Sequence, residues 1–299
     1  MNRESFAGVY PPIATPFDAA GELRLDWLRE NVERWNHTGL TGLVVLGSNG
    51  EFPYLDEDER DAVVAAVLER SRPGLQIVVG TGRESTRATI RSTKRAAELG
   101  AHAAIVVNPH YYTGQMTEPV LEAHYRAVAD DSPIPIFLYN VPPNTGVNLS
   151  AGLVARLASH PNVVGVKDTS ANIVQIADIV RLAPPDFVTL AGSASFLLAS
   201  LAVGAKGGIL ALANFAPDEC VELVRLFAAG QIAEARRLQQ RLLPINAAVT
   251  TRFGAAGLKV TMELRGYRGG YPRRPLLPLG DEGRAEVERI MRAAELGPA

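Results

Sequence analysis

A lysine, a tyrosine and several hydroxyl-bearing turns carry the chemistry that this sequence offers. Lysine is scarce, with four among 299 residues. One of them, Lys167, ends the apolar run Val163-Val164-Gly165-Val166 and is followed by Asp168, Thr169 and Ser170. Apolar surroundings disfavour the charged form of an amine, and a neutral amine attacks a carbonyl carbon to form a Schiff base. The ordinary alternative is a strand-end lysine whose stem lies on the core while its head reaches water. Other apolar runs end in comparable groups. Gly47-Ser48-Asn49-Gly50-Glu51 follows one, Asn108-Pro109-His110-Tyr111-Tyr112 a second, Tyr139-Asn140-Val141-Pro142 a third and Gly192-Ser193 a fourth. Each has a plainer reading. The first is a good tight turn, Tyr139 fits a core aromatic with its hydroxyl at the surface, Tyr111 and Tyr112 fit interface packing, and Asp168 reads as a supporting acid. The five histidines are scattered without ligand spacing, which disfavours a zinc site.

The elements that must position these groups follow from the apolar pattern. Short β-branched runs alternate with helical periodicity every 25 to 30 residues or so. Strands are expected at Gly8–Ile13, Gly42–Leu46, Gln76–Gly80, Ala103–Val107, Ile134–Tyr139, Val163–Lys167, Val188–Ala191 and Gly208–Ala211. Helices are expected at Asp26–Thr38, Asp56–Arg70, Ser85–Leu99, Pro119–Asp130, Ser150–Ser159 and Asn172–Leu182. Such alternation implies parallel strands with helical crossovers. Eight units suggest a closed (β/α)₈ TIM barrel. A doubly wound sheet is the alternative, weakened because no Gly-x-Gly-x-x-Gly follows the first strand. In a barrel the chemistry lies at the C-terminal strand ends, where the turns above all fall. From Pro217 onward the pattern is helical, interrupted by the Gly-, Pro- and Arg-rich stretch Tyr267–Leu279. The division expected is a barrel over residues 1–217 and a helical extension over 218–299.

Composition bounds the partners. The net charge of −2 gives no electrostatic argument for nucleic acid or an anionic membrane. No run approaches 18 uninterrupted apolar residues, so no membrane span is expected. A single cysteine, Cys220, allows neither an intrachain disulfide nor a cysteine metal site. It fits a reducing compartment, and the N-terminal residues do not read as a targeting peptide; a cytoplasmic protein is expected.

Three separated motifs, Gly47-Ser48-Asn49-Gly50-Glu51, Tyr139-Asn140-Val141-Pro142 and Gly165-Val166-Lys167-Asp168-Thr169, resemble the signature set of the dihydrodipicolinate synthase / N-acetylneuraminate lyase family. The resemblance spans nearly the whole chain and includes Thr15-Pro16-Phe17. It implies a barrel with C-terminal helices, a homotetramer, no cofactor, and a Schiff base between Lys167 and a small 2-oxo acid such as pyruvate. It implies Tyr139 as the proton-transferring phenol and Ser48 and Asn49 as carboxylate holders. Tyr111 or Tyr112, from a neighbouring subunit, would join a relay with Ser48; Thr169, Gly192, Ser193 and Ile209 would line the pocket. Synthases of this family carry an arginine before Thr-Gly where this chain has Asn144, and Asn144 lacks the bidentate positive fork that suits a carboxylate. The stretches around Tyr111, Asn144 and Asn246–Gly254 look most like 4-hydroxy-2-oxoglutarate aldolases, so cleavage to pyruvate and glyoxylate is the expected reaction. The alternatives are condensation of pyruvate with aspartate semialdehyde, another sugar-acid or oxo-acid lyase, and a non-catalytic oxo-acid-binding regulator.

Overall fold

A computed structural model describes residues 2–297 of the 299. The strands are β1 (Gly8–Tyr10), β2 (Gly42–Val45), β3 (Gln76–Gly80), β4 (Ala103–Val107), β5 (Ile136–Asn140), β6 (Val163–Asp168), β7 (Val188–Ala191) and β8 (Gly207–Ile209). Between them run α1 (Leu25–Asn36), α2 (Glu57–Arg70), α3 (Thr86–Leu99), α4 (Glu118–Asp131), α5 (Pro142–Thr145), α6 (Ala151–Ala158), α7 (Ile173–Leu182) and α8 (Leu197–Ala202). The strands form one sheet in the order β1-β8-β7-β6-β5-β4-β3-β2. The registers from β3 through β8 are parallel. The fold class is the (β/α)₈ TIM barrel, with α9 (Pro217–Ala228), α10 (Ile232–Ala247), α11 (Gly254–Leu264) and α12 (Asp281–Ala293) as C-terminal helices.

Two compact units make up the chain: Met1–Gly8 with Gln76–Ile209, and Val9–Leu75 with Leu210–Ala299. In the first, Val106, Leu138, Val163 and Val166 pack with Tyr125, Val128, Leu153 and Leu157 from α4 and α6, all fully buried. Each such side chain stabilises the fold by roughly 1.5–3 kcal/mol. Every residue of β6 is buried, as a strand covered on both faces requires. Gly165 is needed there because a Cβ would sit 2.3 Å from the Val188 carbonyl oxygen. The helices start where short polar side chains cap them: Ser85 accepts from the Ala88 N–H, Ser150 from Leu153 and Asn172 from Gln175. In the second unit Trp35 is fully buried, its indole N–H donating to the Asn214 carbonyl at 3.1 Å.

The departures from the expected elements have local causes. β1 stops at Tyr10 because Pro11 and Pro12 have no N–H to donate; a single bridge links Pro12 to Val44. Pro135 delays β5 to Ile136 in the same way, and β5 runs on to Asn140. β8 ends at Ile209, and Ala211–Asn214 forms a 3-10 turn instead of strand. Pro142-Pro143 opens the single helical turn α5, a position that tolerates proline. Among the described residues no helix is long and apolar enough to cross a membrane, and no group of three or more His, Cys, Asp or Glu could hold a metal ion. Cys220 is a free, buried thiol that burial pushes well above the ordinary thiol range.

Candidate active site

The first unit places Lys167 at the C-terminal end of β6, in register with Tyr139 on β5 and Leu190 on β7. Its side chain is enclosed: Lys167 is 4 % exposed and Tyr139 7 %. The Lys167 Nζ lies 4.1 Å from the centre of the Tyr139 ring, and no carboxylate among the described residues forms an ion pair with it. A desolvated amine against a phenol ring has the placement that imine chemistry asks for.

Strand alternation turns the next residues, Asn140 and Asp168, to the opposite face. Asp168 is fully buried and fully occupied. One carboxylate oxygen accepts from the Ser170 N–H at 2.8 Å and its hydroxyl at 2.5 Å; the other accepts from Asn140 at 2.8 Å and Gln175 at 2.9 Å. Asn140 also donates to Asn148 at 2.9 Å and accepts from the Leu149 N–H at 2.9 Å. This network fixes both ends of the segment that carries Asn144, so the supporting role expected of Asp168 agrees with its surroundings. Asn144 itself is exposed in α5.

Beside Lys167, Thr169 and Gly192 meet closely. The Thr169 N–H donates to the Asn140 carbonyl at 2.8 Å and the Gly192 N–H to the Asp168 carbonyl at 2.7 Å. A Cβ on Gly192 would lie 2.0 Å from the Thr169 hydroxyl oxygen, so only glycine fits. That buried hydroxyl has no hydrogen-bond partner among the described residues. Ser193 is half-buried and accepts from the Ser195 N–H at 3.3 Å, and Ile209 ends β8 at 2 % exposure.

Tyr111 and Tyr112 stand apart from this enclosure. They are 78 % and 67 % exposed and meet edge to face with ring centres 5.1 Å apart. Their segment is held by Glu84, which accepts from the His110 and Tyr111 N–H groups at 3.0 and 2.9 Å. Sequence reasoning missed Glu84, because its partners lie on the next βα loop.

The second unit holds Ser48 and Asn49. Both are half-buried in the 3-10 turn Ser48–Gly50 that follows β2. Left-handed residues bracket the turn: Leu46 at φ 59° and Glu51 at φ 55°. Non-glycine residues seldom adopt this conformation. Glu51 is buried and forms an ion pair with Lys259 at 2.7 Å. Sequence reasoning passed over Lys259, although a lysine within the largely apolar stretch Gly257–Met262 was a signal of the same kind as Lys167.

Comparisons with known proteins agree on a family. A model described as the dihydrodipicolinate synthetase family matches residues 5–294. A curated relative from Methanothrix thermoacetophila, named 4-hydroxy-tetrahydrodipicolinate synthase, is 38 % identical over 287 residues, covering 96 % of each chain. The crystal structure of dihydrodipicolinate synthase from Thermotoga maritima superposes with a TM-score of 0.93 at 32 % identity, covering 98 % of this chain and 99 % of that one. A prophage protein of the dihydrodipicolinic acid synthase family from E. coli K12, solved in complex with pyruvate, gives a TM-score of 0.91 at 30 % identity, covering 97 % and 99 %.

Proposed function

Because this chain belongs to the dihydrodipicolinate synthetase family, we propose that Lys167 forms the Schiff base through which it makes or breaks a carbon–carbon bond beside a 2-oxo acid. The family places the chain among carbon–carbon lyases of the pyruvate-dependent, class I kind. The observation that carries the residue assignment is the enclosed Lys167 amine, 4.1 Å from the Tyr139 ring and in register with it.

In the cleavage direction, Nζ of Lys167 attacks C2 of the oxo acid and the carbinolamine loses water. The resulting iminium takes up the electron pair of the C3–C4 bond as the C4 hydroxyl gives up its proton, with Tyr139 moving that proton. The aldehyde leaves, C3 of the enamine is protonated, and water hydrolyses the iminium to pyruvate and free Lys167. Ser48 and Asn49 hold the substrate carboxylate, and Thr169, Gly192, Ser193 and Ile209 line the site. Tyr111 or Tyr112, exposed on its own chain, completes a relay with Ser48 from a neighbouring subunit of a homotetramer.

For the substrate we propose 4-hydroxy-2-oxoglutarate, released as pyruvate and glyoxylate. Support comes from Asn144, which offers no positive fork to a longer aldehyde's carboxylate, whereas glyoxylate is short enough to be held by hydroxyl and main-chain donors. A second reading is condensation of pyruvate with aspartate semialdehyde. The name of the Methanothrix relative supports it, and the comparisons favour it over the first. The test is kcat/KM for both reactions measured side by side on one preparation. Greater efficiency with 4-hydroxy-2-oxoglutarate supports the aldolase; greater efficiency with the semialdehyde replaces it with the synthase and leaves Lys167 in place.

A further inference from the structure

The second buried lysine has no part in the chemistry above, yet it is more thoroughly enclosed than the first. Lys259 on α11 and Glu51 after β2 pair with side-chain exposures of 1 % each. The ammonium donates to the Thr15 carbonyl at 2.8 Å and the Tyr271 carbonyl at 2.6 Å, and forms an ion pair with Glu51 Oε1 at 2.7 Å. Its fourth neighbour is the Phe17 ring, whose centre is 4.5 Å away. Glu51 Oε2 accepts from the Arg273 N–H at 2.8 Å. All of these residues lie in the second unit.

A buried ion pair is a poor way to gain stability, because an apolar pair of similar volume avoids the desolvation cost. What it supplies is fixed distance and direction. Here it grips one end of a strained turn. Leu46 and Glu51 both hold left-handed backbone, and between them lie Gly47, Ser48, Asn49 and Gly50. Strain of this kind persists only where the surroundings over-determine it. Neutral contacts also restrain the turn: Thr15 Oγ1 donates to the Gly50 carbonyl at 2.8 Å, the Glu51 N–H to the Ser48 carbonyl at 3.1 Å and the Gly50 N–H to the Gly47 carbonyl at 3.0 Å. The left-handed Glu51 is thus anchored through its carboxylate at both oxygens.

We infer that Glu51 and Lys259 are positioning residues for the Ser48–Asn49 turn, holding its donors in the conformation that takes up the carboxylate of the 2-oxo acid. The inference rests on the proposed function, because it takes Ser48 and Asn49 as the carboxylate holders. Through this pair the C-terminal helix α11 serves substrate binding without touching substrate.

The test is borohydride trapping of pyruvate on Lys167, measured against pyruvate concentration. The main variant is the double substitution Glu51→Gln/Lys259→Met, which removes both charges with little change in volume. Expected is a rise of about tenfold or more in half-saturating pyruvate, with the limiting trapping rate within about twofold of wild type. A purely structural pair would lower the melting temperature and leave half-saturation in the folded protein where it was, and that result overturns the inference. Should the double variant not fold, Glu51→Gln alone decides: a half-saturating concentration raised about threefold supports the inference, and an unchanged one overturns it. Lack of any adduct on wild-type Lys167 removes the functional reading and the inference with it. A normal wild-type adduct beside unchanged variants removes the inference alone.

Discussion

Lys167 and Lys259 are the same residue type at nearly the same burial, and their surroundings differ. Lys259 donates to two main-chain carbonyls and forms an ion pair with the Glu51 carboxylate, all within 2.8 Å. Lys167 has the Tyr139 ring at 4.1 Å and no carboxylate partner among the described residues. The Lys259 ammonium is held by carbonyl oxygens and a carboxylate, while the Lys167 amine faces the Tyr139 ring.

The largest expected effect separates the two lysines outright. Lys167→Met should remove turnover by roughly 10⁴-fold or more, as loss of a covalent nucleophile does, while thermal stability holds or rises, the usual exchange at active sites. Lys167→Arg should be equally inactive, because guanidinium stays protonated. Lys259→Met should do the reverse, stranding buried Glu51 without its counter-ion at a cost of about 3–5 kcal/mol in urea denaturation. If both variants lose stability alike, the contrast fails.

Tyr139→Phe separates the roles proposed for Lys167 and Tyr139. The pyruvate adduct should still form, but cleavage should fall by roughly 10²–10⁴-fold, the range of general acid–base groups. Cleavage at the wild-type rate in this variant would leave Lys167 without the phenol as its partner. Asn144→Arg probes substrate choice at the exposed turn downstream of Tyr139. A charged hydrogen bond is worth about 1.5–3 kcal/mol, so turnover of aspartate semialdehyde should improve by roughly ten- to a hundredfold. No gain would mean that position 144 does not discriminate.

The smallest effect concerns titration of Lys259. Burial lowers the Lys259 pKa from 10.5 to about 8, with Glu51 opposing and Arg273 adding to the shift. Between those values the unfolded chain binds more protons than the folded one, so stability from this group is present above pH 10.5 and is lost as pH falls through about 8. Denaturation of wild type and Lys259→Met from pH 7 to 10 should show the wild type gaining by at most ~1.4 kcal/mol per pH unit. A difference that stays flat would contradict this account of Lys259.

Lys167 was easier to single out from sequence than Lys259. Val163–Lys167 is a short apolar run ending on a charge, and the neighbouring strand ends carry Tyr139 and Gly192-Ser193, so local pattern and strand order brought them together. Lys259 pairs with Glu51, a pairing that only the tertiary fold creates. The same holds for Glu84, whose side chain reaches the neighbouring βα loop at Tyr111. Among the elements, α8 (Leu197–Ala202) went unforeseen because six residues are too few to show a helical period. β1 and β5 were set by prolines that withhold donors rather than by apolar pattern.

The most direct test of the role proposed for Lys167 is peptide mapping after borohydride reduction in the presence of pyruvate. The expected result is one adduct, on Lys167, with loss of activity in proportion to its formation and Lys94, Lys206 and Lys259 unmodified. An adduct on Lys259 or Lys206, or none at all under conditions where the enzyme turns over, would contradict it.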